Sequence, residues 1–286
     1  MNITNHLKAE IWNFKRHPRC NFTIPEEREF VNRYKDGETF SDMAKEAGVS
    51  RGSLWKMVTQ VYDVEPYQTA GYPVKYDLNT TIFSDIDNEK SMYALGLIYS
   101  DGHVSKFHSA IQFKTVDKEQ ILNFRKCFET TKDYYTVNTR EDWQDAYTFQ
   151  VGYEPMVNDL LKLVPKRSKD TEKVNEKIVN NPYFHHFLRG FLDGDGSVGK
   201  TRAKITFAGN KLLMESFDEA IEQNYNLKPS GLHEKTSGFA ENTERPSYHL
   251  TYCKNKAKRR LQTELYDDAT LFLTRKRENL DSFLDK

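Results

Sequence analysis

The chain has 286 residues, of which 37% are hydrophobic, 29% are charged and 13% are aromatic, and its formal net charge is zero. This composition excludes a largely disordered chain, because it offers enough apolar and aromatic surface to build a core. It also argues against a protein that holds nucleic acid through bulk positive charge alone. The sequence has no apolar run of membrane-spanning length and no signal-peptide core, so we expect no membrane partner.

The three cysteines, Cys20, Cys127 and Cys253, are scattered along the chain and form no C-x-x-C pair. This spacing predicts neither a disulfide framework nor a zinc site, so a reduced, cytoplasmic location is expected. The charge is uneven, because residues 251–277 include eight Lys or Arg residues against three acids. Such a segment either binds phosphates or forms a solvated face.

Residues 1–65 are predicted to form a small all-α domain. Pro25 is well suited to the start of a first helix, and Phe40–Ala47 is predicted to form a second. Ser50 is a suitable cap for a third helix, which is expected to run to about Tyr62.

The turn between the last two helices carries a recognisable spacing, Ala44-x3-Gly48-x5-Leu54. This spacing resembles the helix-turn-helix of DNA-binding proteins, in which the last helix contacts the bases. The third helix would then present Arg51, Ser53, Trp55, Lys56 and Thr59 to DNA, and the first four are the candidate DNA-binding residues. Any other three-helix bundle is the alternative, because alanine and glycine are common.

Two later segments of the chain repeat one another. Ala94–Gly102 reads ALGLIYSDG and Leu188–Gly196 reads LRGFLDGDG, so each combines an apolar helix with an acid and a final glycine. The alternation of strand-like and helical segments after each motif is also the same. The sequence therefore predicts an α+β fold of tandem αββαββα repeats, over residues 89–165 and 166–286, behind the all-α domain and a linker at 66–88.

The two motif helices are expected to pack side by side. Small residues recur four positions apart on one face of each helix, at Gly96, Ser100, Gly190 and Gly194. This packing brings Asp101 and Asp195 together at the two C-terminal ends. Paired carboxylates repel one another as bare anions, and divalent cations that also bind a phosphate relieve the repulsion. The pair therefore indicates phosphodiester hydrolysis; the alternative is that each acid merely ends its helix.

The paired motifs and the repeated topology resemble the LAGLIDADG homing endonucleases in their two-repeat, single-chain form, over about residues 89–286. The resemblance implies two αββαββα halves that form a pseudo-twofold saddle, with one curved sheet of each half in the major groove. It further implies a monomeric endonuclease that depends on Mg²⁺ or Mn²⁺. Such an enzyme cuts double-stranded DNA at a long, specific site and leaves short 3′ overhangs.

The resemblance also implies roles for individual residues. Asp101 and Asp195 are the expected metal ligands, and the backbone carbonyls of Ser100 and Gly194 are expected to join them. Tyr99 stands where many members have an acid, at a position that is not a metal ligand in the family.

Further expectations concern residues outside the two motifs. Lys254, after the last strand, is expected to assist the attack on phosphate electrostatically, with a plain surface lysine as the alternative. The segment Leu271–Arg277 resembles the family's closing helix, which is expected to pack against the second half. Base contacts are expected from alternate positions on one face of each sheet, with the candidates Gln112, Lys114, Lys204 and Thr206.

Two other functions on the same fold stay open. One is a non-cleaving, sequence-specific DNA-binding regulator, and the other is an intron RNA maturase. The sequence shows no splicing-domain signature, so an intron-encoded enzyme of intron homing, or a free-standing one, is expected rather than an intein.

Overall fold

The computed structural model describes residues 22–36, 38–62, 64, 76–105, 110–137, 144–164, 173–199, 204–235 and 246–284. Residues 66–75 of the expected linker lie outside these ranges. The chain divides into two compact units, residues 1–71 and 72–286. Within the described ranges, no helix combines the length and apolar character needed to cross a membrane.

The first unit contains the three short helices that the sequence predicts. They are α1 (Ile24–Lys35), α2 (Phe40–Glu46) and α3 (Arg51–Lys56), and α3 continues as a π-helical turn over Met57–Val61. Gly48 lies between α2 and α3 with a φ of 65°, a left-handed conformation that glycine adopts without strain. The buried core of this unit consists of Phe30, Val31, Tyr34, Phe40, Met43, Ala44, Leu54, Met57 and Val58.

The second unit contains two halves with the same order of elements. The first half comprises α4 (Glu89–Asp101), β1 (Gly102–Ser105), β2 (Ala110–Thr115), α5 (Lys118–Cys127), β3 (Tyr135–Val137), β4 (Ala146–Gly152) and α6 (Glu154–Leu160). After the one-turn α7 (Glu176–Val179), the second half comprises α8 (Phe184–Asp195), β5 (Gly196–Val198), β6 (Ile205–Gly209), α9 (Lys211–Tyr225), β7 (Gly231–Glu234), β8 (Tyr248–Tyr252) and α10 (Asn255–Tyr266). A final helix, α11, spans Thr274–Leu284. Each half is therefore αββαββα, and the predicted fold class is confirmed.

Each half forms a four-stranded antiparallel sheet, with the strand orders β1-β2-β4-β3 and β5-β6-β8-β7. Side chains alternate between the two faces of a strand. In β2, Ile111 and Phe113 are fully buried against the helices, while Gln112 and Lys114 point to the opposite side. We call that opposite side the outer face of each sheet.

The motif helices α4 and α8 lie side by side with their backbones in contact. A Cβ atom at Gly96 would lie 2.6 Å from the backbone nitrogen of Phe191 and 2.9 Å from the carbonyl carbon of Gly190. A Cβ atom at Gly190 would lie 3.0 Å from the carbonyl carbon of Tyr93. Neither position has room for a side chain. The small residues therefore permit the close helix packing that their spacing predicts.

Residues 76–88, which the sequence places in a linker, pack on the second unit. Ile82 and Phe83 are buried in its core, and the backbone N–H of Asn79 donates to the carbonyl of Phe128 at 2.9 Å. The packed unit thus begins before Glu89.

The closing helix α11 and the residues just before it bond to both halves. In the first half, Asn123 donates to the carbonyl of Phe272 at 2.8 Å, and the backbone N–H of Thr274 donates to Glu119 at 3.1 Å. In the second half, Lys276 donates to carbonyls at the end of α8. The expected packing of this segment against the second half is confirmed, and its bonds to the first half show that it also bridges the two halves.

Candidate active site

Asp101 and Asp195 are the last residues of α4 and α8, and both are exposed. Each is followed by a glycine, Gly102 or Gly196, that begins the first strand of its half. A Cβ atom on these glycines would lie 2.5 Å or 2.7 Å from a Cα atom of the preceding helical turn. The two glycines therefore allow the chain to turn directly from helix to strand, and this turn leaves each carboxylate at the helix end.

The two helix ends touch one another. A Cβ atom on Gly194 would overlap the side chain of Ser100 and would lie 3.4 Å from Oδ2 of Asp101. Because consecutive Cα atoms are ~3.8 Å apart, the Asp101 carboxylate lies within about 9 Å of the Cα atom of Asp195. The structure thus brings together four predicted site residues, Asp101, Asp195, Ser100 and Gly194.

A buried lysine lies behind this helix end. The ammonium of Lys276 donates to the carbonyls of Leu192, Asp193 and Gly196 at 2.5, 2.9 and 2.8 Å. Burial lowers the pKa of Lys276 to about 8, and the carboxylates of Asp193 and Asp195 oppose that fall. The lysine satisfies carbonyls that a helix end leaves unpaired and places positive charge beside Asp195. The sequence does not reveal this role, because Lys276 is one of three successive basic residues and nothing local marks it as buried.

Asp193 is also buried, and it ties the motif helices to the C-terminal segment. Its Oδ2 accepts from the hydroxyl of Tyr93 at 2.7 Å and from the backbone N–H of Leu273 at 3.0 Å. Burial raises the pKa of Asp193 to about 6. Its backbone carbonyl accepts from Gln120 of the first half at 3.0 Å. Asp193 therefore positions the helix end and does not point into the exposed aspartate pair.

Tyr99, the departure from the family pattern, makes a comparable tie in the first half. Its hydroxyl donates to the carbonyl of Leu163 at 2.7 Å. Leu163 lies three residues after the end of α6, and Leu273 lies seven residues after the end of α10. In each half, a side chain of the motif helix thus bonds to the backbone of a segment that follows the last helix of that half.

Lys254 lies between the last strand of the second sheet and α10. Lys254 is exposed and immediately precedes α10. In the second sheet, Gly196 is level with Phe207, which is level with Leu250. Lys254 follows the end of β8 at Tyr252 by two residues, and β8 runs away from the level of Gly196. Its catalytic role stays a prediction.

The outer face of the first sheet carries hydrogen-bonding side chains. Gln112 pairs with His103 on one side and Gln150 on the other, and Lys114 pairs with Thr148. Among the described residues of these four strands, the outer face holds no acidic side chain. Gln112 and Lys114 therefore lie where a nucleic acid could reach them.

The outer face of the second sheet is basic. Burial lowers the pKa of His249, and the positive charges of Lys235 and Lys204 lower it further. His249 pairs directly with His233 on the neighbouring strand. Thr206 belongs to the same face, but it is only 4% exposed and its hydroxyl lies 3.3 Å from that of Thr251. The sheet thus covers the predicted base-reading threonine, whereas Lys204, just before β6, is exposed.

The predicted contact residues of the first unit lie on α3. Arg51, Trp55 and Lys56 are exposed, and Ser53 is half-buried with its backbone N–H bonded to Ser50. Their role in DNA binding stays a prediction.

No protein-family model matches the chain, and no curated protein matches it. Solved structures with a similar fold include the homing endonuclease I-WcaI bound to its DNA recognition sequence. It has 14% identity and a TM-score of 0.48, over 67% of this chain and 85% of that chain. I-DmoI in complex with DNA and Ca has 13% identity and a TM-score of 0.42, over 69% of this chain and 98% of that chain.

Full-length DUF199/WhiA from Thermatoga maritima is also similar, with 11% identity and a TM-score of 0.45. That match covers 72% of this chain and 64% of that chain. The chain is therefore similar to LAGLIDADG proteins of both the homing-endonuclease and the WhiA kind, at identities too low to transfer residue roles.

Proposed function

We propose that the chain is an endonuclease that cuts both strands of a DNA duplex at a long, specific site. The observation that supports this most directly is the pair of exposed aspartates, Asp101 and Asp195, at the abutting ends of two closely packed helices. Each aspartate leads into a sheet whose outer face is polar or basic. A phosphodiester at the helix ends would therefore be flanked by surfaces suited to the rest of the duplex.

The donor set fits a hard divalent cation such as Mg²⁺ or Mn²⁺. Two carboxylates and the carbonyls of Ser100 and Gly194 would supply oxygen ligands, which these ions prefer. Helix C-termini carry partial negative charge that adds to that of the carboxylates. Divalent cations held there supply charge stabilisation to the attacking and leaving oxygens of a phosphodiester.

Residues around the two aspartates set the distance between the carboxylates and place a positive charge near them. The contact between Gly194 and Ser100 sets how closely the two carboxylates approach. Lys276 fixes the carbonyls at the end of α8 and keeps a positive charge behind Asp195. Lys254 is exposed at the start of α10, and its electrostatic assistance to the attack on phosphate stays a prediction.

The outer faces of the two sheets are the proposed DNA-reading surfaces. Gln112 and Lys114 have the chemistry to read adenine and guanine, and Lys204 is suited to guanine or to a phosphate. Arg51, Trp55 and Lys56 of α3 are proposed to contact DNA outside this core site. We expect short 3′ overhangs after cleavage and a monomeric enzyme, as the resemblance implies.

The test is cleavage of a randomised duplex library with Mg²⁺, followed by sequencing of the cut ends. Wild-type protein should give one family of sites. Asp195→Asn should abolish double-strand cleavage and leave specific binding of the selected site largely intact, because the ligand charge is lost without a change in shape. Asp85→Asn removes an exposed acid elsewhere in the unit and should cut normally.

The alternative outcomes separate the rival functions. Specific duplex binding by wild-type protein without cleavage under Mg²⁺ or Mn²⁺ would identify a DNA-binding regulator. Binding to a structured intron RNA in preference to any duplex would identify a maturase. Cleavage at the normal rate by Asp195→Asn would remove the proposed metal site.

A further inference from the structure

Three metal-ligating side chains meet at the end of α8 opposite to Asp195. His185 and His186 lie in its first turn, and Asp268 lies in the turn after α10. One ligand atom from each residue lies within 4.8 Å of the other two. We propose that these residues bind a divalent transition metal ion such as Zn²⁺. This site is separate from the aspartate pair, which lies about 15 Å further along the helix at ~1.5 Å per residue.

The spacing of the ligand atoms suits a metal better than a hydrogen bond alone. Nε2 of His185 lies 3.1 Å from Oδ2 of Asp268, and Nε2 of His186 lies 3.6 Å from the same oxygen. Around a tetrahedral ion with bonds of about 2.0–2.1 Å, neighbouring ligand atoms lie about 3.3 Å apart. The two distances lie on either side of that value. A hydrogen bond accounts for the approach of His185 but leaves the approach of His186 unexplained.

His186 is buried beside Asp268 without a direct hydrogen bond to it. It is 2% exposed, and its Nδ1 has no hydrogen-bond partner in the part of the chain that the structure describes. Its Nε2 lies 3.6 Å from Oδ2 of Asp268, which is beyond hydrogen-bond distance. A metal ion between that nitrogen and that oxygen would join two groups that do not bond directly to one another.

The positive charge of Arg189, which acts on His186 and Asp268, is already compensated. The guanidinium of Arg189 pairs with Glu89 at 2.5 Å and donates to the carbonyls of Leu265 and Leu271 at 2.6 and 2.7 Å. The Asp268 side chain is 60% exposed, so one side of the site is open to water as a further ligand.

The proposed ion would attach the connection between α10 and α11 to the first turn of α8. Asp268 begins the segment that leads from α10 to α11, and α11 carries Lys276 to the far end of α8. A metal joining Asp268 to α8 would thus have a structural role. It would hold the closing helix in place without taking part in the reaction.

The experiment uses full-length protein stripped of metal and then held in millimolar Mg²⁺, so that oxygen-ligand sites are occupied. Titration with Zn²⁺ by calorimetry should give one tight site per chain, and Zn²⁺ should raise the melting temperature. Asp268→Asn should lose at least about 100-fold in Zn²⁺ affinity, because even outer-shell substitutions cost up to that amount. Asp267→Asn removes the neighbouring exposed acid and should bind as wild type does.

Cobalt provides a readout that a simple His–Asp ion pair would not give. Co²⁺ bound by two imidazoles and a carboxylate in a four-coordinate site should absorb visible light in wild-type protein and in Asp267→Asn, but not in Asp268→Asn. Circular dichroism checks that the variants fold. Equal Zn²⁺ affinity in wild type and Asp268→Asn, or no binding by wild type at about 100 µM Zn²⁺, would overturn the proposal. DNA cleavage is not a readout, so the result does not depend on the proposed nuclease activity.

Discussion

Replacing Gly96 by alanine probes the helix contact on which the aspartate pair depends. The new Cβ atom would lie 2.6 Å from the backbone nitrogen of Phe191 and 2.9 Å from the carbonyl carbon of Gly190. Backbone atoms cannot swing aside as a side chain can, so the helices must separate. Overpacking of this kind costs about 3 kcal/mol at the upper end of its usual range. The higher helix propensity of alanine returns about 1 kcal/mol.

The expected net loss is therefore about 2 kcal/mol, which corresponds to a melting temperature about 4–8 °C lower for a unit of this size. Differential scanning calorimetry of the full chain measures it. Gly209→Ala is the matched control, because its Cβ atom would meet the flexible ends of Met214 and Leu213 at 3.0 and 3.4 Å. A Gly96→Ala protein that melts within one degree of wild type would refute the close packing of α4 and α8.

Three further predictions concern charges, in addition to the Asp195 and Asp268 variants. Arg189→Met should destabilise the second unit by about 3 kcal/mol, because Glu89 and two carbonyls lose a buried partner. Arg260→Met breaks only a pair between an exposed arginine and a half-buried glutamate, and it should shift stability by less than about 1 kcal/mol in chemical denaturation. Lys235→Gln should raise the pKa of His249 in a proton NMR titration, because Lys235 is one of the charges that lower it. A phosphate bound beside His249 would raise that pKa again, so duplex binding should tighten as the pH falls from 8 to 6. His249→Gln should flatten this dependence in fluorescence anisotropy, and an unchanged dependence would remove His249 from the DNA-binding surface.

The sequence predicts the architecture of the second unit well, because the relevant patterns are local and occur twice. The residue pattern of each half predicts the order of its strands and helices. The four-residue spacing of Gly96 and Ser100, and of Gly190 and Gly194, predicts both the faces that meet and the ends at which the aspartates lie. Gly48 likewise marks a turn whose positive φ few other residues tolerate.

The sequence predicts the surroundings of the site less well. Lys254 follows a strand as expected, but only the register shows that this strand leads away from the helix ends. Thr206 alternates correctly with buried neighbours, yet cross-strand packing covers it. Ile82 and Phe83 lie in a stretch without periodicity and are buried only because the second unit offers them a surface.

The sequence by itself determined that two similar halves exist, which helix faces meet and which two acids end the motif helices. These properties follow from residue spacing along single helices and strands. Only the tertiary structure decided that Lys276 lies behind Asp195, that Asp193 is buried between three segments and that His185, His186 and Asp268 converge. The contacts of those residues join positions up to 100 apart along the chain, and no local pattern records which distant backbone or side chain will pack against them.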